Sequence, residues 1–259
     1  MFDEPGSGVA PAALEPEPAA AAVVFGERLP LAREYTALLA GDGVVRGLIG
    51  PRETDRLWTR HILNCAAPAE LIPDGARVVD VGSGAGLPGL VLAIARPDCR
   101  VVLLEPLERR TRFLEEAVEQ LGLDNCVVVR SRAQDAPADA READVVVSRA
   151  VAPLGRLAGW CAGLARTGGL VLALKGSSAR DELVRDAAEV AAAGLQDAEV
   201  IELDGAAGPA QVVRAVRGPD RGRRAGGARR SSSGRGGSSR GAARSPGRSG
   251  GTGGGGRSH

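Results

Sequence analysis

Residues Asp80 to Gly89 read Asp-Val-Gly-Ser-Gly-Ala-Gly-Leu-Pro-Gly, between the apolar stretch ending at Val78-Val79 and the run Leu90 to Ala95. Glycine serves where a backbone must turn with positive φ and where a ligand must come close to main-chain amides, so this composition makes a cradle for a nucleotide-like cofactor. Gly84, Gly86 and Gly89 satisfy the spacing GxGxxG, which by itself fits a dinucleotide site. Asp80 separates the readings. It stands two residues before Gly82 and makes the run D-x-G-x-G. A carboxylate there repels a pyrophosphate and suits a cofactor with a cationic amino-acid end. The favoured ligand is S-adenosylmethionine. Glu105 follows 19 residues after Gly86, at the end of the next apolar stretch, where a carboxylate accepts hydrogen bonds from both hydroxyls of a ribose.

These residues need a scaffold that brings strand ends together. From Ala76 onward, short Val- and Leu-rich stretches alternate with amphipathic ones, the signature of βαβ units and a parallel sheet. Strands are predicted at 77–81, 100–105, 126–130, 143–148 and 169–174, with helices near 87–95, 108–121, 154–165 and 179–193. Two more strands, 198–203 and 210–216, are joined by the turn-like segment Asp204-Gly205 to Pro209. A connection that short cannot make a parallel crossover, so this pair is antiparallel. The predicted fold is α/β: a Rossmann-like class I methyltransferase with a seven-stranded, mostly parallel sheet and an antiparallel C-terminal hairpin. Helical patterns at Phe25 to Leu39 and Glu53 to Ala67, the latter preceded by Pro51, form an N-terminal cap. The division is a disordered N-terminus over 1–22, a methyltransferase domain over 23–217 (cap 23–75, core 76–217) and a disordered tail over 218–259.

Several segments together resemble the bacterial RsmG family, also called GidB, whose members methylate guanine N7 in RNA of the small ribosomal subunit. They are RLWTRHILN (Arg56 to Asn64), DVGSGAGLPGL (Asp80 to Leu90), RPDCRVVLLEPLERRTRFL (Arg96 to Leu114), SRA (Ser148 to Ala150) and ALKG (Ala173 to Gly176), and the resemblance covers about 25–217. It implies S-adenosylmethionine as methyl donor and 16S rRNA or the small ribosomal subunit as partner. By resemblance, Gly82 and Leu87 line the cofactor, Ala133 and Gln134 read the adenine edge, and Arg149 sits at the boundary between cofactor and substrate. Gln134 stands where the family usually has Glu, and Asn64 where Asp often follows RHIL. Arg46-Gly47-Leu48-Ile49 replaces the family's Asn-Leu-Thr motif. No general base is called for, because guanine N7 carries an in-plane lone pair that is unprotonated at neutral pH. Arg149 and Lys175, at the ends of the fourth and fifth predicted strands, are candidates to hold RNA phosphate or guanine O6. His61 is a third positioning candidate, with packing as an equally good account. Trp58 reads as core.

Charge is unevenly distributed. The whole chain has 33 basic and 32 acidic residues. Residues 218–259 hold ten arginines and one acid, a net +9, which leaves 23 basic and 31 acidic side chains, a net −8, in residues 1–217. The tail's Arg-Gly and Ser-Arg steps resemble RNA-binding low-complexity segments, and its glycines and serines cannot bury a core. Lys175 is the only lysine. The four cysteines are widely spaced without a CxxC pair and the chain has two histidines, so buried thiols and no metal site are expected. No apolar run reaches the roughly 18 to 20 residues of a membrane helix, and acidic Asp3 and Glu4 stand in place of a basic leader. The expectation is a cytoplasmic protein with no membrane contact, its oligomeric state left open. Two other classes fit less well: a dinucleotide oxidoreductase, opposed by Asp80, and a non-catalytic RNA-binding assembly protein with a degenerate cofactor fold, opposed by the intact loop and Glu105. An S-adenosylmethionine-dependent methyltransferase of another RNA stays open, since the family resemblance alone selects ribosomal RNA.

Overall fold

The computed structural model describes residues 14–149, 151–205 and 208–219. The N-terminal stretch 1–13, Ala150, the tip of the last hairpin at 206–207 and the tail from 220 lie outside the described residues, as do the expectations that fall on them.

Seven strands form one sheet in the order β3-β2-β1-β4-β5-β7-β6. Strands β1 (Arg77–Val81), β2 (Arg100–Leu104), β3 (Cys126–Val129), β4 (Ala143–Arg149) and β5 (Ala165–Lys175) run parallel. The hairpin β6 (Leu195–Gly205) and β7 (Gly208–Arg217) closes the edge, with β7 antiparallel to both β5 and β6. This is the predicted topology, and each predicted strand lies at its place. The hairpin strands are longer than predicted, because a bulge between Gln196 and Glu199 extends the pairing past a break in the alternation.

Alternating side chains of the sheet feed two apolar layers. Val78, Val101, Val145 and Leu172 enter one, with the cap and α4 (Gly89–Ala95). Val79, Val102, Val146 and Val171 enter the other, with the helix following β4. Both faces are covered, which is why these strands read as continuous Val and Leu runs. All four cysteines are buried free thiols.

The cap departs from the two regular helices that were expected. Helix α1 (Ala20–Phe25) begins inside the stretch taken as disordered, and Glu15 and Glu17 are anchored too: Thr59 N–H donates to the Glu15 carboxylate at 3.0 Å, and Arg33 pairs with Glu17 at 2.5 Å. The packed region therefore reaches back at least to Glu15. After a 3-10 turn at Gly26–Arg28 comes α2 (Leu29–Leu38), which runs into a π-helical turn at Leu39–Gly43. The second predicted helix changes pitch along its length: 3-10 over Pro51–Arg56, π over Leu57–Leu63, one α turn, α3 (Asn64–Ala66), then 3-10 over Ala67–Leu71. An i to i+5 repeat aligns Leu57 with Ile62 and Trp58 with Leu63, and all four are buried. Arg96 ties cap to core by donating to the carbonyls of Ala69 (2.8 Å) and Ile72 (2.7 Å).

Beyond α4, the core helices are α5 (Glu108–Gln120), α6 (Leu154–Ala162), α7 (Ala179–Arg185) and α8 (Ala187–Ala192). The single helix predicted over 179–193 is broken at Asp186, whose carboxylate caps the start of α6 through Gly155 N–H at 2.9 Å.

Candidate active site

From β1 the chain crosses to one side and from β4 to the other, so the loops leaving these neighbouring strands diverge and open a crevice at the C-terminal edge of the sheet. A cleft of about 1230 Å³ occupies that position, with Gly82, Gly84, Leu87, Glu105, Arg149 and Lys175 in its wall. His61 and Asn64 enter from the cap, and so do Leu48 and Ile49 of the segment that departs from the family motif.

The loop after β1 is held from three directions. Gly82 N–H donates to Leu104 O at 2.8 Å, Gly84 N–H donates to the Glu105 carboxylate at 3.0 Å, and the buried Tyr35 hydroxyl donates to Ala85 O at 2.7 Å. Gly84 and Gly86 have φ of 59° and 98°, where other L-residues are strained. They differ in surroundings. A Cβ on Gly84 would meet only the Gly82 carbonyl, at 3.8 Å, whereas one on Gly86 would collide with Leu90 and lie 2.8 Å from Tyr35 Oη. Gly84 therefore presents an open face and Gly86 a closely packed one.

Asp80 is not in the cleft wall, contrary to what its charge led us to expect. It is fully buried beneath the loop, because the pleat of β1 turns residue 80 toward the cap-side layer. Its Oδ2 accepts Gly89 N–H at 3.0 Å, and its Oδ1 has no hydrogen-bond partner among the described residues. A Cβ at position 89 would collide with Leu103 and sit 2.7 Å from Oδ2, so glycine here admits both the Leu103 side chain and the carboxyl. Burial pushes the Asp80 pKa up to about 7, against the opposing effects of Ser83, Gly89 N–H and the Arg149 charge.

Glu105 is 1 % exposed, yet it lines the cleft. One oxygen accepts Leu107 N–H and the other Gly84 N–H, each at 3.0 Å, with Arg110 at 3.6 Å. Carboxylate oxygens accept about four hydrogen bonds in all, so capacity remains for a ligand.

Lys175, expected to offer its charge to RNA phosphate or guanine O6, is engaged within the protein. Its side chain is 6 % exposed, and Nζ donates to Glu182 at 2.8 Å and to Ala152 O at 2.9 Å. It braces the chain that leaves β4. Ala133 and Gln134 do not line the cleft: Ala133 is buried in the 3-10 turn Ala133–Asp135 and Gln134 is exposed. They follow the outermost strand, β3, two strands away from β1. Trp58 is core, as read.

His61 and Arg149 meet across the cap–core boundary. His61 Nδ1 lies 3.0 Å from an Arg149 guanidinium nitrogen, and Nε2 lies 2.8 Å from a carboxylate oxygen of Glu53, a residue the sequence did not single out. Exposed Arg60 and Arg185 and half-buried Arg110 stand around the cleft mouth.

The sequence model of the GidB family, described as rRNA small subunit methyltransferase G, matches residues 28–209. The chain belongs to this family. The Salinispora arenicola protein named Ribosomal RNA small subunit methyltransferase G is 62 % identical over 177 residues, 66 % of this chain and 73 % of that protein. The one from Rhodococcus jostii is 53 % identical over 225 residues, 85 % of this chain and 98 % of its own length. Among solved structures, a SAM dependent methyltransferase from Aquifex aeolicus aligns with 71 % of this chain and 97 % of its own, at 18 % identity and a TM-score of 0.48. Within the GidB match lie the glycine loop, Glu105, Arg149, Lys175 and all three members of the Glu53–His61–Arg149 chain. No helix among the described residues is long and apolar enough to cross a membrane.

Proposed function

We propose that this protein transfers the methyl group of S-adenosylmethionine to N7 of a guanine in 16S rRNA of the small ribosomal subunit, in the cytoplasm. The observation that carries the reading is the placement of the family's glycine loop, with Glu105 bonded to it, at the β1/β4 crevice of a large cleft. A slender ligand can approach the Gly84 backbone, since among the described residues no side chain beyond its two chain neighbours lies within 4 Å of where its Cβ would be. Glu105 takes the ribose hydroxyls. The bound cofactor supplies a methyl group on a positively charged sulfur.

Because N7 is already unprotonated, the protein's task is alignment, bringing the reacting atoms to about 3 to 3.5 Å in line. Arg149, held from the cap side by His61, directs its remaining N–H donors toward the substrate. A donor on guanine O6 fixes the base while leaving the N7 lone pair free. Lys175 acts one step back, by holding the Ala152 carbonyl in the chain between β4 and α6. The described cleft wall contains no Phe, Tyr or Trp, so base recognition rests on hydrogen bonds and aliphatic contact from Leu48, Ile49 and Val151. Arg60, Arg110 and Arg185 at the mouth suit the phosphates of an accessible RNA segment.

The decisive measurement is mass mapping of 7-methylguanosine in small-subunit RNA from cells with and without this gene. Loss of one modified guanine, restored by the wild-type gene, supports the reading; an unchanged map overturns it.

A further inference from the structure

Three charged or polar groups from three segments form one hydrogen-bonded chain that ends in the cleft. Glu53 stands on the 3-10 segment Pro51–Arg56, His61 on the π turn Leu57–Leu63, and Arg149 at the end of β4. The spacings are 2.8 Å from Glu53 to His61 Nε2 and 3.0 Å from His61 Nδ1 to Arg149. Arginine is donor only, so the Nδ1 that faces it must carry the lone pair, and the proton of a neutral imidazole must then reside on Nε2. A carboxylate at Nε2 selects that tautomer.

We propose that Glu53 is a positioning residue for methyl transfer: by accepting Nε2–H it locks His61 in the tautomer whose Nδ1 holds the Arg149 guanidinium at the cleft. The inference rests on the proposed reaction for its consequence, though not for its geometry. Without the carboxylate either ring nitrogen can carry the proton. With Nδ1 protonated, two donors face each other and Arg149 loses its anchor. The same conflict arises when the ring becomes fully protonated. The charged groups facing it are Glu53, its neighbour Arg60 and, across the boundary, Arg149. Burial and the Arg149 charge hold the His61 pKa below its ordinary value, with Glu53 opposing them. Partial burial pushes Glu53 up, but the His61 hydrogen bond and the charges of Arg60 and Arg56 together outweigh it and hold Glu53 below the usual glutamate value.

The chain has two histidines, His61 and His259, so imidazole nitrogen NMR on the full-length protein shows two rings, and a His259→Gln variant assigns them. The wild-type His61 ring is expected as the Nε2–H tautomer, and Glu53→Ala as a mixture. Glu53→Gln, whose amide oxygen can still accept Nε2–H, restores the single tautomer. In methyl transfer to small-subunit RNA at saturating cofactor, Glu53→Ala is expected to lower kcat roughly ten- to hundredfold. Glu53→Gln recovers most of that loss. In both variants the acid limb of the pH profile moves to lower pH, since the carboxylate that favoured the imidazolium is gone. A role in folding alone would reduce the active fraction without moving that limb. An Nδ1–H tautomer in the wild type, or Gln behaving as Ala in both readouts, overturns the proposal. Absence of methylation by the wild-type protein would count against the proposed reaction, while the NMR comparison still decides the tautomer lock.

Discussion

A fully buried carboxyl is costly to ionise, so burial pushes the Asp80 pKa up to about 7. The sign of the consequence for stability follows from proton binding. Between about pH 4, where an unfolded Asp titrates, and about pH 7, the folded protein holds a proton that the unfolded chain has released, so stability from this group falls as pH rises. Denaturant unfolding of the wild type at a series of pH values is expected to show that loss, on the order of a few kcal/mol at most. Asp80→Asn, which retains an acceptor for Gly89 N–H, should flatten it. An equally steep slope in the variant would show that another group is responsible. At Lys175 the test is kinetic. Lys175→Ala frees the Ala152 carbonyl and breaks the ion pair with Glu182, so kcat should drop about tenfold or more while calorimetric affinity for S-adenosylmethionine stays near that of the wild type. Unchanged kcat and KM would remove Lys175 from the site.

Among elements, the loop between β1 and α4 separates two kinds of glycine. Gly84→Ala places a methyl in open space at a φ of 59°, so the fold should lose only about 1 kcal/mol while cofactor affinity falls sharply. Gly86→Ala drives a methyl into Leu90 and the Tyr35 hydroxyl and should cost more, about 2 to 3 kcal/mol, visible as the larger drop in thermal midpoint. If both variants lost the same stability, the two positions would not differ as described. Tyr35→Phe leaves the Ala85 carbonyl without its buried donor, at a cost of about 1 to 2 kcal/mol, and should loosen the loop toward cofactor as well.

The sheet was legible from the sequence because a strand buried on both faces writes itself as a Val and Leu run, and because Gly and Asp punctuate its ends. The cap was less so. Its apolar positions at 57, 58, 62 and 63 fit an α-helix roughly as well as the π turn that they form, and the choice is made only where the segment packs against α2 in the folded cap. Asp80 was singled out for its charge beside a cofactor, but its side chain points into the cap-side layer, which only the pleat and pairing of the sheet decide. Glu53 left no trace, since a glutamate in an Arg-rich segment looks like any solvated ion pair until His61 is folded against it.

For the molecule as a whole, the problem is how an acidic body holds RNA. Residues 1–217 carry a net −8 and residues 218–259 a net +9. At the cleft, Arg60, Arg110 and Arg185 offset the acidity locally, but each faces a carboxylate within 4 Å, so long-range attraction from the body is weak. A tail with ten arginines can supply it. Each phosphate contact adds about 0.7 to 0.9 to the slope of log K against log salt, so engaging only three of those arginines steepens it by about 2. Truncation after Arg217 is therefore expected to flatten the salt dependence of small-subunit binding by at least that amount. It should also raise KM for RNA at moderate salt and leave kcat at saturating RNA unaltered, since the tail contributes encounter and retention, not alignment. Equal slopes and equal KM across the salt series would make the tail dispensable and return the task of holding RNA to the arginines at the cleft mouth.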